Sequence, residues 1–402
     1  MIPQRPPAPR YSPWVHVIIA PDCFTGTLTA TQAAEAMAAG WRRKAPEDLL
    51  TLVPLSDGGP GFLDVITRSV PGESSIVTVT GPGGMPVPAA VHITTDEGGR
   101  RTAWVESAQA IGLHLLDAPE RDPGVTTTWG LGELLAAVLE HDVQRVVVGL
   151  GGSGTNDAGA GMLGALGAGP REVLGGGGAG LIATREHDLA GLAATRERFA
   201  GIELVAATDV ASPLLGLQGA SAVFSPQKGA TPEQAQVLEG SLGHFADQVR
   251  RVLPPGTDLL TGRERRLDRE PGAGAAGGVG YALMLLGARR VSGVDTVLEA
   301  VGLGRLVAAA DLVLTGEGCL DWQSLQGKVV AGVAELAQGH GTPAVALAGQ
   351  VLIGRREAMA LGLGGCYAVA ERPEELETAM ADPVGTLEAR AARVAATWSP
   401  RR

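Results

Sequence analysis

Cysteine and aromatic residues are scarce in this chain of 402 residues. The three cysteines, Cys23, Cys319 and Cys366, are odd in number, widely spaced and without the paired spacing of zinc ligands. We therefore expect neither disulfides nor structural zinc. Aromatic residues make up only 3% of the chain, while 59 glycines and many small aliphatic residues fill it, a mixture that favours an α/β fold with many turning loops.

The sequence also lacks an excess of positive charge and long apolar runs. The net charge is −11, whereas a nucleic-acid backbone or an anionic membrane surface calls for a basic face, so we expect neither as a partner. No uninterrupted apolar run approaches the ~18 residues of a membrane span, and residues 1–13 lack the apolar core of a signal peptide. We predict a cytoplasmic monomer or homodimer with a disordered tail over residues 1–13 and a small molecule as its partner.

Three common catalytic motifs are absent as well. The chain has no Gly-x-x-x-x-Gly-Lys-Ser/Thr loop, so a nucleotide would have to be held in some other way than in P-loop kinases. The closest match to a Gly-x-Ser-x-Gly elbow has Thr155 in place of its last glycine. No histidine accompanies Cys23 in a glycine-rich loop as a catalytic partner, so we interpret it as a packed or substrate-lining thiol.

Apolar runs that alternate with helical patterns predict two α/β domains. Residues 14–69 and 290–402 are predicted to form a discontinuous domain with a parallel sheet. Residues 70–289 are predicted to form the second domain. In this domain, three short strands with alternating polar and apolar residues indicate a mixed sheet. The segment after Pro373 has the pattern of a surface helix.

The most distinctive stretch is residues 145–161, where an apolar strand leads directly into a glycine-rich loop. Glycines let backbone N–H groups approach an anion, and the carboxylate of Asp157 stands beside them. The same pattern also fits a tight strand exit with Asp157 as a helix cap. Gly149-x-Gly151-x-x-Gly154 matches the dinucleotide fingerprint of oxidoreductases, although the second strand that this fingerprint requires is not evident.

Five predicted strands end in glycine and a carboxylate, at Asp22, Asp57, Asp157, Asp209 and Glu317. Phosphoryl transfer needs carboxylates for magnesium, backbone amides and a lysine for the phosphates, and a group that aligns the attacking hydroxyl. Lysines are few in this chain, and Lys228 and Lys328 are the best candidates for the cation. Either lysine could instead face solvent.

Taken together, these motifs resemble the type I glycerate kinases over about residues 15–370. The blocks that carry the resemblance are Ala20 to Leu28, Pro54 to Gly59, Gly151 to Met162, Asp209-Val210, Pro226 to Ala230, Pro271 to Gly278 and Leu314 to Gly318. The resemblance implies a flavodoxin-like domain joined to a second α/β domain. It also implies phosphorylation of D-glycerate by ATP with Mg²⁺, typically giving 2-phosphoglycerate.

On this basis each candidate receives a predicted role. Magnesium binding is assigned to Asp57 and Glu317. Catalytic roles are assigned to Asp157, Asp209, Lys228 and Lys328. Substrate or nucleotide binding is assigned to Asp22, Gly58, Gly59, Gly151, Gly152, Ser153, Asn156 and Gln227.

Three positions depart from the family pattern. Thr25 replaces a usual lysine, Pro60 a usual glutamate and Cys319 a usual arginine. If both missing cations contact the substrate or a phosphate, each would remove about 1.5–3 kcal/mol of binding. The alternatives are therefore a kinase with a changed hydroxy-acid acceptor, or a catalytically silent protein that binds ligands or regulates.

Overall fold

The structure is a computed structural model that describes residues 14–254, 256–257, 262, 264–322, 324 and 328–399. The chain divides into two compact units. Unit 1 contains residues 1–57 and 294–402, and unit 2 contains residues 58–293. The predicted tail, residues 1–13, lies outside the described residues. The predicted domain boundaries, after residue 69 and before residue 290, stay predictions.

The described residues form thirteen strands. They are β1 (His16–Pro21), β2 (Leu49–Leu52), β3 (Gly72–Thr80), β4 (Pro86–Thr95), β5 (Arg101–Glu106), β6 (Arg145–Gly149), β7 (Glu203–Ala207), β8 (Arg289–Val291), β9 (Leu312–Gly316), β10 (Cys319–Leu320), β11 (Ala344–Ala348), β12 (Gln350–Val351) and β13 (Leu363–Ala368).

The same residues form sixteen α-helices. They are α1 (Ala30–Lys44), α2 (Phe62–Ser69), α3 (Ala108–Ile111), α4 (Trp129–Val138), α5 (Ala160–Ala165), α6 (Arg171–Leu174), α7 (Leu192–Glu197), α8 (Ala220–Phe224), α9 (Pro232–Val252), α10 (Ala275–Leu285), α11 (Gly293–Ala300), α12 (Leu303–Ala308), α13 (Val329–His340), α14 (Arg355–Ala360), α15 (Leu376–Ala381) and α16 (Pro383–Trp398).

Unit 1 is built on a five-stranded parallel sheet with the order β13-β11-β9-β1-β2. Numbered along unit 1 alone, this is the order 2-1-3-4-5 read in reverse, which is the flavodoxin-like order. The strands are short apolar runs, and β9 and β11 are buried along their whole length, as expected for a parallel sheet covered on both faces. The predicted flavodoxin-like domain is therefore confirmed in its strand order.

Helix α1 illustrates how local sequence sets an element of unit 1. Thr29 accepts a hydrogen bond from the N–H of Gln32, and the Gln32 side chain accepts one from the N–H of Thr29, so the two residues form a capping box. The alanine-rich face of α1 packs against α16, which buries Leu387, Ala391 and Val394. The C-terminal segment is thus helical, as predicted, and the apolar face of α16 forms part of the core of unit 1 while its other faces are half-buried or exposed.

Unit 2 contains a six-stranded sheet with the order β3-β4-β5-β6-β7-β8. The pairs β3/β4 and β4/β5 are antiparallel, and the remaining three pairs are parallel. The prediction of a mixed sheet in the second domain is therefore confirmed. Because β5, β6, β7 and β8 run in one direction, their carboxyl ends lie at one edge, and the glycine-rich loop leaves β6 there. Within the described residues, no helix combines the length and apolarity needed to cross a bilayer.

Candidate active site

The first group of predicted residues lies at the carboxyl edge of the sheet in unit 1. Asp22 follows β1 and Glu317 follows β9, and these two strands are neighbours with Pro21 opposite Gly316. The N–H of Asp22 donates to the carbonyl of Gly316 at 2.8 Å. The strand order reverses between β1 and β9, and open α/β sheets bind their ligands in the crevice at such a switch point.

Electrostatics confirms that carboxylates crowd this edge. Burial, with the charges of Asp57 and Glu317, raises the pKa of Asp22 to about 8, against the N–H of Cys23, which lowers it. Burial raises the pKa of Glu317 to about 7, although a hydrogen bond from Ser324 and the charge of Lys328 oppose that change. Carboxylates whose charges raise the pKa of a neighbouring acid form an environment that a bound cation stabilises.

The donor set suits a magnesium ion that a nucleotide brings with it. Glu317 is only 5% exposed, and its Oε1 atom has no hydrogen-bond partner among the described residues. No three His, Cys, Asp or Glu side chains in the described part of the chain converge into a ready metal cage. Mg²⁺ does not require such a cage, because it typically takes one or two carboxylates and completes its shell with water and phosphate oxygens.

Two thiols stand beside these carboxylates. Burial and the charges of Asp22 and Asp57 raise the pKa of Cys23 to about 12, and burial also raises the pKa of Cys319. Both thiols are therefore protonated at neutral pH and are poor nucleophiles, in agreement with the interpretation of Cys23 as a packed or substrate-lining thiol rather than a nucleophile. The loops that carry them touch, since a Cβ on Gly318 would come within 3.3 Å of the Cα of Phe24.

The second group of predicted residues surrounds the glycine-rich loop of unit 2. Asp157 is fully buried, and its carboxylate accepts hydrogen bonds from Thr128 N (2.8 Å), Thr128 Oγ1 (2.9 Å), Gly159 N (3.0 Å) and Gly161 N (3.3 Å). Burial raises the pKa of Asp157, and these hydrogen bonds lower it in part. Asp157 therefore caps the start of α5 and ties the loop to α4, and its catalytic role stays a prediction.

Lys228 is a buried lysine whose side chain contacts the same loop. It is 2% exposed, which excludes the alternative that it faces solvent. Its Nζ lies 2.9 Å from Ser153 Oγ and donates to the Thr155 carbonyl at 2.6 Å. Burial lowers the pKa of Lys228 to about 7, against the charge of Asp157, which raises it.

The amide of Asn156 lies in the same buried loop. Its Nδ2 donates to Ser221 Oγ at 3.0 Å, while its Oδ1 and the neighbouring Thr155 Oγ1 have no partner among the described residues. Both residues are fully buried. Buried polar atoms without partners are rare and often mark functional sites.

Close backbone packing holds this loop in place. Gly277 has a φ of +69°, and a Cβ on it would lie 2.0 Å from the carbonyl oxygen of Thr155. Ala158 and Ala276 also have positive φ, of 54° and 51°, an unusual conformation for residues with a Cβ. Strained backbone of this kind persists where the surrounding structure enforces it, and it is frequent at functional sites.

The loop after Asp57 packs against the glycine-rich loop. A Cβ on Gly151 would lie 2.6 Å from the Cα of Gly59, and one on Gly152 would lie 2.5 Å from Cγ of Pro60. Nearby, the buried carboxylate of Glu106 accepts hydrogen bonds from the N–H groups of Gly61 (3.2 Å) and Leu63 (3.0 Å) at the start of α2. Burial raises the pKa of Glu106, while these two bonds lower it.

The remaining candidates are distributed as follows. Asp209 is half-buried and lies just beyond the end of β7. The carbonyl of Ala207, the last residue of β7, accepts a hydrogen bond from the N–H of Leu150. Gln227 is exposed. Lys328 is half-buried and is the N-cap residue before α13.

Sequence reasoning missed Thr128, Ser221 and Glu106. Glu106 carries the same signal as the other candidates, a carboxylate at the end of a strand. Thr128 and Ser221 had no comparable signal, because they meet the loop only through tertiary contacts with residues 29 and 65 positions away.

Comparisons with known proteins agree with this geometry. The protein is 38% identical over 390 residues to a glycerate kinase of Halalkalibacterium halodurans, covering 95% of this chain and 98% of that one. It is 38% identical over 340 residues to glycerate 2-kinase of Escherichia coli, covering 83% of this chain and 85% of that one.

A solved structure gives the same result. The crystal structure of a Salmonella typhimurium protein assigned as glycerate kinase 2 superposes with a TM-score of 0.73 at 36% identity, covering 96% of this chain and 98% of that one. The sequence profile of the glycerate kinase family matches residues 17–399. A flavodoxin-like sheet with carboxylates at its switch point, a glycine-rich loop after β6 and these matches along almost the whole chain together make this protein a member of the glycerate kinase family.

Proposed function

We propose that the protein transfers the γ-phosphoryl group of ATP to a hydroxyl of D-glycerate and gives 2-phosphoglycerate. The observation that carries this proposal is the carboxylate cluster of Asp22, Asp57 and Glu317 at the switch point of the unit 1 sheet. Carboxylates of this kind suit Mg²⁺ in complex with a nucleotide, and the family profile supports a kinase reaction on glycerate.

In unit 1, Asp57 and Glu317 would hold the magnesium ion, with Asp22 beside them. When bound, magnesium neutralises charge on the phosphate oxygens during transfer. The charge of Lys328 lowers the pKa of Glu317, which supports assigning Lys328 to neutralise a phosphate at the same edge.

In unit 2, backbone N–H groups of the glycine loops would bind anionic oxygens of the substrates. This role falls to Gly58, Gly59, Gly151 and Gly152, and we assign substrate or nucleotide binding also to the side chains of Asn156 and Gln227. Asp209 would orient the acceptor hydroxyl. Asp157 has its carboxylate fully engaged by four donors, so we assign it a positioning role that fixes the loop.

A changed acceptor is the second candidate, and one observation favours it. Thr25 and Cys319 stand where the family usually has a lysine and an arginine, and the loops that carry them touch through Phe24 and Gly318. Two cations are therefore missing from neighbouring loops. A hydroxy acid with less negative charge, or with a longer chain held elsewhere, would tolerate that loss.

The deciding experiment measures ADP formation by the purified protein with ATP, Mg²⁺ and a panel of hydroxy acids that includes D-glycerate. The product is identified by adding enolase without phosphoglycerate mutase, because enolase accepts 2-phosphoglycerate and not 3-phosphoglycerate. Turnover of D-glycerate that enolase can follow supports the proposal, and turnover of another acid alone would establish the changed acceptor.

Other outcomes point elsewhere. Thermal stabilisation by ATP without any turnover would identify a silent binding protein, and stabilisation by NAD but not by ATP would overturn the kinase proposal. Asp57→Asn should reduce kcat at least about 100-fold if its carboxylate helps to bind the metal. Glu35→Gln, on the exposed face of α1, is the matched control and should leave kcat unchanged.

A further inference from the structure

The pair of Ser153 and Lys228 has the geometry of an activated hydroxyl. Ser153 Oγ and Lys228 Nζ are 2.9 Å apart, and both residues are buried, Ser153 at 6% and Lys228 at 2% exposure. Among the described residues no carboxylate pairs with Lys228, and Asp157 is the charged group whose field reaches it. A buried lysine without a counter-ion is a candidate base, because desolvation favours its neutral amine.

The hydrogen bonds around Nζ fit the neutral amine as well as the ammonium ion. A neutral amine has two N–H donors and one lone pair. One N–H donates to the Thr155 carbonyl at 2.6 Å, and the lone pair can then accept the hydroxyl proton of Ser153. In this arrangement the lone pairs of Ser153 Oγ remain available to accept a proton from a substrate. Burial supports the neutral state, since it lowers the pKa of Lys228 to about 7.

Asp157, the carboxylate nearest to Ser153 in the sequence, is poorly suited to act as the base. Asp157 already accepts four hydrogen bonds and is fully enclosed, so a substrate hydroxyl has no open lone pair to approach. Lys228 and Ser153 are also rigidly placed. Gly277 packs so closely on the Thr155 carbonyl that this acceptor of Lys228 has little room to move.

We propose that Ser153 and Lys228 form the proton relay of the phosphoryl transfer, an inference that rests on the proposed function. The acceptor oxygen bonds to the γ-phosphorus, and the bond from that phosphorus to the β–γ bridging oxygen breaks, with its electron pair leaving on ADP. The acceptor hydroxyl proton passes to Ser153 Oγ while the proton of Ser153 passes to the lone pair of Lys228 Nζ. Lys228 then returns its proton to solvent after product release.

The test begins with the pH dependence of kcat. The wild type should lose activity below about pH 7, and the part of this loss that disappears in Lys228→Met belongs to protonation of Lys228 rather than of Glu317, whose pKa is also about 7. Ser153→Ala and Lys228→Met should each reduce kcat by about 10²-fold or more, the range of general-base catalysis, and the double variant should lose little more. Ser153→Thr keeps a hydroxyl and should restore part of the activity.

Lys228→Arg separates a base from a fixed positive charge. Arginine stays protonated at every accessible pH, so the relay predicts that this variant is as slow as Lys228→Met. Wild-type kcat in Lys228→Arg, or unchanged kcat in Ser153→Ala, would overturn the relay while leaving the kinase function intact. Ser221→Ala is the matched control, because it removes a buried hydroxyl that contacts the loop through Asn156 but not Lys228, and it should keep the activity loss below pH 7.

A measurement without substrate distinguishes failure of the relay from failure of the proposed function. The ¹³Cε NMR signal of Lys228, identified by its loss in Lys228→Met, should titrate near neutral pH. Titration above pH 10 would overturn the relay even if the protein phosphorylates glycerate. A neutral titration in a protein that turns over none of the acids would refute the proposed function and with it this relay.

Discussion

The buried position of Lys228 disfavours the charged form of its side chain. A buried ammonium ion without a paired carboxylate loses hydration that two hydrogen bonds replace only in part. Such residues are retained where function needs them, and they generally lower stability. The lowering of the pKa of Lys228 to about 7 reflects the free energy needed to bury its charge.

Lys228→Met should reveal this cost as a pH-dependent difference in stability. Between pH 7 and 10.5 the unfolded chain binds a proton that the folded protein has released, so wild-type stability should rise relative to Lys228→Met across this window. Each unit of pKa shift corresponds to about 1.4 kcal/mol. Scanning calorimetry of both proteins from pH 6 to pH 10 measures the effect, and a Tm difference that does not vary with pH would contradict it.

Glu106 offers a prediction about stability alone. Its carboxylate satisfies the N–H groups of Gly61 and Leu63 at the start of α2, and Glu106→Ala would leave both without this partner. We expect a loss of about 1–3 kcal/mol in the free energy of unfolding, with a smaller loss for Glu106→Gln, which keeps an oxygen acceptor. Urea unfolding measures this loss. Glu97→Ala, at an exposed turn, should change stability by less than about 0.5 kcal/mol, and an equal loss in the two alanine variants would refute the capping role.

At the scale of elements, the contact between the glycine-rich loop and the start of α10 depends on the absence of a side chain. Gly277→Ala would place a Cβ 2.0 Å from the Thr155 carbonyl at a positive φ, so we expect a loss of more than about 2 kcal/mol and of kinase activity. Gly240→Ala in α9 meets nothing within 4 Å and should stabilise the protein by about 0.5–1 kcal/mol. Thermal unfolding of both variants checks these opposite signs, and stabilisation by Gly277→Ala would show that the loop is not tightly packed.

Elements with a strong local signal could be predicted from the sequence. The start of α9 follows from Thr231 as the cap, Pro232 at the first helical position and Gln234 completing the capping box. Strand β11 coincides with an unbroken apolar run from Ala344 to Ala348. The contribution of α16 to the core could not be predicted, because its apolar face is recognised as core only when α1 is placed against it.

At the scale of the whole molecule, local patterns indicated that carboxylates follow strands but not which strands are neighbours. The pairing of β1 with β9 brings together Asp22 and Glu317, which are far apart in the sequence, and strand order is set by packing of the entire sheet. The flavodoxin-like order was implied by family resemblance and not by periodicity. The burial of Asp157 could likewise not be predicted, because its partner Thr128, the N-cap residue of α4, is 29 positions away in the sequence.

The continuity of unit 2 gives a prediction about folding. All six strands of its sheet and its hydrophobic core lie within residues 58–293. A fragment of these residues should therefore fold alone and unfold cooperatively in urea, as followed by circular dichroism. The fragment 1–57 is the control and should stay unfolded, because β1 then lacks its neighbour β9. A gradual, non-cooperative unfolding curve for the longer fragment would contradict the prediction.

The pairing of β1 with β9 also has a consequence for synthesis on the ribosome. Thr315 donates a hydrogen bond to the carbonyl of Ala20 across 295 residues of chain. At roughly 5–20 residues per second, the apolar strand β1 emerges about 15–60 s before β9 exists. During that interval its apolar residues have no β9 partner in the sheet, so the nascent chain should be a target for chaperones that bind exposed apolar segments near the ribosome exit.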